Sequence, residues 1–536
     1  MPTTPADPMS PRRPVRRVVI AGGGTAGWMV AACLSKTLGR LLDIRLVESD
    51  EIGTVGVGEA TIPTLLTFHH LLGINEQEFM AATQATFKLG ISFEGWRDVG
   101  EDYIHSFGVT GTDHWTAGFQ HFWLKGRERG LATEYGDYCL ELRAAQEHRF
   151  AHLPRAGMNY AFHLDATLYG AYLRRLSEGH GVQRVEGRIA DVLMHDADGS
   201  GADVPPRDRD IRALRLQDGT QIEGDLFIDC TGMRSLLLGQ ALGVGYQDWS
   251  HWLPCDSAIA LQTASVRDAV PYTRSIAHPW GWQWQIPLQH RVGNGVVFSS
   301  RHTDDDTAQS ALLGNIQGEV LTKPRVIRFK PGQRDVVWKR NCVGIGLASG
   351  FLEPLESTSI HLIQRSAIRL MQMFPKDGIR SSDVDEYNAQ MAHELEHIRD
   401  FIILHYHVTN RSDSPMWRDL RAMAVPASLR HRLDLFRETA RVFRVPNELF
   451  TENSWIQVML GQGIAPEQFH PTADLMGDEE LARFLGDMRE RIEHTVRQLP
   501  SHEAYVRKYG AGMGSGLPAT PPTGAPTVDA RQRSAA

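Results

Sequence analysis

Cysteine is scarce in this chain and scattered where it occurs: Cys33, Cys139, Cys230, Cys255 and Cys342, with no C-x-x-C pair among 536 residues. An odd, dispersed set excludes a disulfide framework and a cysteine-ligated zinc site, and points to reduced thiols in a cytoplasm. Apolar runs of membrane-spanning length are missing, which excludes a transmembrane helix. Positive charge is not in excess either. Lysine and arginine number 56 against 64 acidic residues, a formal net charge of −8, so nothing pulls the chain toward nucleic acid or an anionic membrane. Internal repeats are absent. Arg12, Arg13, Arg16 and Arg17 precede an apolar stretch in the manner of a secretion signal, but glycines break that stretch and it reads as a nucleotide strand. What remains is a cytoplasmic globular protein, long enough for two or three closely joined domains.

The stretch that organises it is Arg17-Val18-Val19-Ile20-Ala21-Gly22-Gly23-Gly24-Thr25-Ala26-Gly27-Trp28. β-Formers run into glycines and then into a helical segment, the strand, turn and helix start of a dinucleotide-binding unit. Gly22 permits the turn, Gly24 lets backbone N–H groups approach a pyrophosphate, and Gly27 allows close helix–strand packing. Thr25 and Ala26 open the helix whose positive end would hold the anion. The next strand, residues 44–47, ends at Glu48, about 20 residues beyond the last glycine, where a carboxylate should meet the ribose hydroxyls. A bound dinucleotide, and hence redox chemistry, is expected.

Along the chain, residues 1–16 and 510–536 read as disordered tails, rich in Pro, Thr, Gly and Ala. A glycine–valine loop spans 52–61. Helices are expected at 63–72 and 76–87, an extended segment at 102–108, a helix at 160–178, and strands at 182–192, 211–216 and 221–229. Residues 342–350 return to the nucleotide. The fold class is therefore α/β, a discontinuous Rossmann-like module over 17–379 with a substrate-covering β-sheet inserted around 255–300. A helical region over 380–509 follows, with helices at 384–404, 418–442 and 478–499.

Gly281-Trp282-Gln283-Trp284-Gln285-Ile286-Pro287 puts two indoles on one face of a strand. Alone, it is an aromatic core stripe. Together with the glycine motif, however, it resembles the signature of the flavin-dependent tryptophan halogenases, in which the tryptophans wall the flavin off from organic substrate. Residues 85–91, Ala-Thr-Phe-Lys-Leu-Gly-Ile, resemble the segment carrying that family's catalytic lysine, which implies Lys88; from composition alone Lys88 reads as a surface lysine at a helix end. Residues 351–360, Phe-Leu-Glu-Pro-Leu-Glu-Ser-Thr-Ser-Ile, resemble the family's E-P-L-E-S-T-G-I element. The resemblance implies Glu356 as catalytic carboxylate and the backbone at Thr358 and Ser359 as halide site, with Ser359 standing where glycine is usual. Residues 399–407 and Trp417 match a further stretch, in which His405 and His407 read as core or helix-surface histidines with no metal role.

The likeness runs from about residue 17 to 508 and implies an FAD-dependent halogenase. Reduced FAD from a separate reductase, oxygen and chloride or bromide would give hypohalous acid, which halogenates an electron-rich aromatic such as indole. Cofactor contacts are expected to include Ile189, Leu347 and Ile360 besides the glycine motif and Glu48. His105 and Phe107 match the residues that pack an indole. The family's tryptophan-gripping Tyr pair and Glu are replaced by Glu438-Thr439 and Val445, and its stacking Trp by Phe450. Losing groups that pair a zwitterion costs several kcal/mol, so indole-like rings are favoured over free tryptophan. An FAD aromatic hydroxylase and a non-catalytic flavin carrier are the alternatives. The first conflicts with the Trp282/Trp284 wall, the second with the pairing of Lys88 and Glu356. The expected state is a monomer or homodimer with no nucleic-acid or membrane partner.

Overall fold

The computed structural model describes residues 14–52, 58–114, 116–153, 157–196 and 205–511. The expected tails fall outside these residues except at 14–16 and 510–511, as do residues 53–57 of the glycine–valine loop and residues 197–204 of the polar, Gly/Asp/Pro-rich stretch 194–208, whose sequence reads as a hairpin tip.

The first strand, Arg17–Ala21, is buried from Val18 onward and lies parallel between Asp43–Glu48 and Leu226–Asp229. Cys342–Gly344 extends this sheet on one side and Gln183–Glu186 on the other. Parallel neighbours need crossovers, and their strands read as continuous apolar runs because both faces are covered. The helix Thr25–Leu38 supplies one cover, packed against the helices Ala166–Gly179 and Ser359–Gln372.

A second sheet has seven strands. Its centre is the ribbon Ser257–Ala264, Arg291–Phe298, Gly281–Pro287 and Tyr272–His278, and Gly90–Glu94 and Asp102–Ser106 form one edge. A small third sheet, Gly58–Ala60, Ala161–Asp165 and Thr86–Lys88, joins the two larger layers. C-terminal helices, from Ser381–His407 to His502–Ala511, cover the seven-stranded sheet and the joint. Among the described residues no helix is long and apolar enough to cross a membrane.

Several expected elements differ in extent. The helix expected to reach Phe87 runs Glu76–Thr83 and stops where Gln84 turns left-handed. Thr86–Lys88 then forms a strand paired with Ala161–Asp165. The helix expected from 160 begins at Ala166, because Asp165 caps it by accepting from the N–H groups of Thr167 and Leu168. Gly187 divides the 182–192 strand into Gln183–Glu186 and Ile189–Met194. The 418–442 helix is two, Pro415–Ala422 and Ala427–Thr439, with Pro426 at the start of the second. Residues 510 and 511, expected in a tail, close the helix His502–Ala511.

Candidate active site

Gly22 has φ +107°, a left-handed conformation open to glycine, and an added Cβ would lie 2.4 Å from the Cys230 carbonyl oxygen. A Cβ on Gly27 would lie 1.9 Å from the Gly22 carbonyl, so glycine there sets the close approach of helix to turn. Space around Gly24 is open. The turn faces a cavity of about 550 Å³ lined by Gly22, Gly24, Thr25, Ala26, Glu48, Ile189, Leu347 and Ile360, so every expected cofactor contact except the packing glycine Gly27 borders it. Glu48 on its wall receives the Arg184 Nε at 2.5 Å and the Trp28 Nε1 at 3.3 Å. Trp282 and Trp284 line the far part, their ring centroids 6.1 Å apart. Trp282 is fixed by donating to Glu353 Oε2 at 2.7 Å, which Tyr406 also donates to at 2.7 Å. Burial pushes the Glu353 carboxyl up to about 7 against these two donors.

Ser357, Ser359 and Leu355 border the same cavity, whereas Lys88, Glu356, His105 and Phe107 do not. Lys88 is no surface lysine: it is fully buried. Its Nζ donates to the Thr61 carbonyl at 3.0 Å and to Ser357 Oγ at 2.7 Å, and lies 5.2 Å from the centre of the Phe107 ring. Burial pushes the ammonium down to about 7, with the Glu356 charge pulling the other way. Ser357 thus has one side on the cavity and the other on Lys88. Its backbone is left-handed, φ +59°, and nothing in the motif reading singled it out.

Glu356 is buried between two imidazoles. His105 Nδ1 lies 2.9 Å from Oε2 and His405 Nε2 lies 2.8 Å from Oε1. Burial alone would raise the carboxyl, but both histidines override it and hold it at about 2. Tyr103 Oη is 2.8 Å from His405 Nδ1, so the phenol donates and leaves Nε2–H for Glu356. His405 therefore belongs with Glu356 in the site, whereas its sequence reads as a core or helix-surface histidine. His407, whose Nδ1 meets the Leu420 carbonyl, is structural. The signal for His405 lay in a partner distant in sequence, which no local pattern carries.

Thr358 and Ser359 open the helix Ser359–Gln372, whose first N–H groups have no acceptor within the helix. Such an end can hold an anion. Phe450 stacks on Phe401 at 3.7 Å between ring centres, and His105 is 6.3 Å from Phe450. Phe401 is a second site residue that local sequence did not reveal. At the expected clamp positions Glu438 is exposed and the Thr439 hydroxyl is spent on its own helix, donating to the Leu435 carbonyl. The buried Glu448 nearby is paired with Arg432 and accepts from Trp455 Nε1 and the Val445 N–H. Among the described residues no group of three His, Cys, Asp or Glu could hold a metal.

Residues 17–478 match the tryptophan halogenase family. The chain belongs to that family. The halogenase is 33% identical to the tryptophan 6-halogenase SttH of Streptomyces toxytricini, the match covering 94% of this chain and 99% of SttH. It is 32% identical to the tryptophan 7-halogenase RebH of Lentzea aerocolonigenes, over 92% and 98%. Among solved structures, Xcc4156, a flavin-dependent halogenase from Xanthomonas campestris, superposes with a TM-score of 0.89 at 65% identity, covering 93% of this chain and 99% of that one. BrvH from Brevundimonas sp. BAL3 follows at 0.87 and 43%, over 93% and 100%. The protein is thus a flavin-dependent halogenase of α/β fold that works with reduced FAD and halide. The open Gly24 turn, the anion-binding helix end and the indole wall suit that cofactor.

Proposed function

We propose that Lys88 and Glu356 carry the halogenation, that halide sits at the backbone of Thr358 and Ser359, and that the substrate is a neutral electron-rich aromatic of the indole type. Reduced FAD, supplied by a separate reductase, provides with oxygen the oxidising power that turns halide into hypohalous acid. Every later step falls to the protein. Trp282 and Trp284 keep the organic ring off the flavin side. Ser357 marks the crossing point, and Lys88 beyond it donates a hydrogen bond to the oxidant and aims it at the ring carbon. Glu356, anionic at every working pH, stabilises the cationic ring formed when the halogen adds and receives its proton. His105 and His405 hold the carboxylate in place. Enclosure keeps the oxidant from bulk water.

The substrate choice rests on one observation: the buried carboxylate nearest the expected clamp, Glu448, is already satisfied by Arg432, Trp455 and the Val445 N–H. That carboxylate is therefore not free to repay desolvation of a free amino acid's ammonium. His105 Nε2, by contrast, is buried without a partner. In the neutral imidazole with Nδ1–H facing Glu356, that nitrogen would accept from an N–H such as indole's. Free indole should be halogenated with higher kcat/KM than free tryptophan, at the ring carbon most reactive to electrophiles. Steady-state comparison of the two, with products located by NMR, is the test. Preference for tryptophan, with attack at an unreactive benzo-ring carbon, would refute the neutral-substrate reading.

A further inference from the structure

Along the Ser359–Gln372 helix lies a buried chain of polar groups that the chemistry above does not use. His361, two residues past Ser359, places Nε2 at 2.8 Å from Glu394 Oε1 and Nδ1 at 2.9 Å from Thr64 Oγ1. Glu394 also meets Arg369 Nη1 at 2.6 Å. His361, Glu394 and Arg369 are each at most 3% exposed. Burial raises the Glu394 carboxyl, but His361, Arg369 and Arg365, whose Nε lies 3.4 Å from Oε1, bring it down to about 2, so it stays an anion. Burial also lowers His361. The Glu394 carboxylate can only accept, so Nε2–H donates to it, and Nδ1 faces the Thr64 hydroxyl. Gln364 adds a second tie, donating to the Thr64 carbonyl at 3.0 Å.

Thr64 lies three residues beyond Thr61, the carbonyl that anchors Lys88, while His361 lies two residues beyond the turn of Ser357, Thr358 and Ser359. Two segments far apart in sequence are thus tied three times, through Lys88, through His361 and through Gln364. The helices carrying His361 and Glu394 also wall the flavin cavity, through Ile363 and Leu395 among others. Burying a Glu, an Arg and a His is costly, and apolar packing would hold two helices as firmly. What apolar packing lacks is direction. A directional chain ending on one hydroxyl is a device for register.

We propose that Thr64, His361 and Glu394 are positioning residues that tie the halide turn to the segment anchoring Lys88, so that the turn is held in the register that captures halide. This rests on the assignment of halide to Thr358 and Ser359. Thr64→Val keeps side-chain shape and removes only the hydroxyl, at a half-buried position where folding is not at risk. In the full-length holoenzyme the bromide KM should rise about five-fold, the worth of one neutral hydrogen bond, with kcat, FAD affinity and Tm near wild type. Thr64→Ser, which keeps the hydroxyl, should restore the KM. Crystals of Thr64→Val soaked in bromide should give a weaker anomalous peak beside Thr358 and Ser359 than wild type at the same concentration. A wild-type bromide KM in Thr64→Val, with the peak in that place, would overturn the positioning role and leave the halide site standing. Parallel losses of kcat, FAD affinity and Tm would mark the chain as general structural support and overturn it equally. A bromide peak elsewhere in the wild type would remove the halide assignment, and the positioning role with it.

Discussion

Lys88 Nζ has three hydrogens when charged and spends two, on Thr61 and Ser357. The third is free for hypohalous acid only while the group is an ammonium. With burial holding its pKa at about 7, halogenation under saturating flavin should decline as pH rises through 7. A rate that instead climbs across that range would identify the neutral amine, and a haloamine, as the working form. Lys88→Ala should abolish ring halogenation while reduced flavin still consumes oxygen; product analysis beside an oxygen electrode separates the two. Glu356 faces two imidazole N–H donors. A glutamine there can offer its oxygen to one and must turn its NH2 toward the other. Glu356→Gln should therefore cut turnover by roughly 10²-fold or more, and unchanged kinetics would assign the carboxylate to structure alone.

At the level of elements, the C-terminal helix His502–Ala511 has a reach that its position hides. Tyr505 and Tyr509 pack 5.8 and 5.6 Å from Phe87, the residue before Lys88, and Tyr509 donates to Glu76. Ending the chain at residue 500 should lower Tm and turnover while leaving FAD affinity near wild type, since no part of this helix borders the cavity; calorimetry and flavin titration would check both. The nucleotide unit was legible because its cues are local: β-formers, glycines and an acid at fixed spacing. The Trp282/Trp284 face was legible for the same reason, as strand alternation puts both indoles on one side. Thr86–Lys88 was not, because a three-residue strand owes its existence to pairing with distant Ala161–Asp165, and local pattern favours continuing the preceding helix. His405 and Phe401 were obscured similarly. On the helix Ser381–His407 they look like any buried face, and only their partners, Glu356 and Phe450, give them a role.

Across the whole molecule, the cavity and the Lys88–Glu356 cluster are separate compartments meeting at the turn of Ser357. Substitutions in one should spare the other: Phe450→Ala should change aromatic KM and leave FAD affinity unaltered. Phe450 and His105 are 6.3 Å apart, less than the ~7 Å that two van der Waals separations need. Phe450 must therefore swing aside to admit a ring between them, and the alanine variant should accept bulkier aromatics. The cavity has another property. Its walls come from the first βα turn, the 282–284 strand, the 346–363 segment and the long helix near 391, stretches well separated in the chain. A dinucleotide filling it is a fastener as well as a reagent, because a ligand that binds only the folded state stabilises it by mass action. An enzyme that trades its flavin with a reductase is unfastened once per cycle. Its half-life in a cell would then track flavin supply, and starvation for the cofactor would remove the protein before it merely idled.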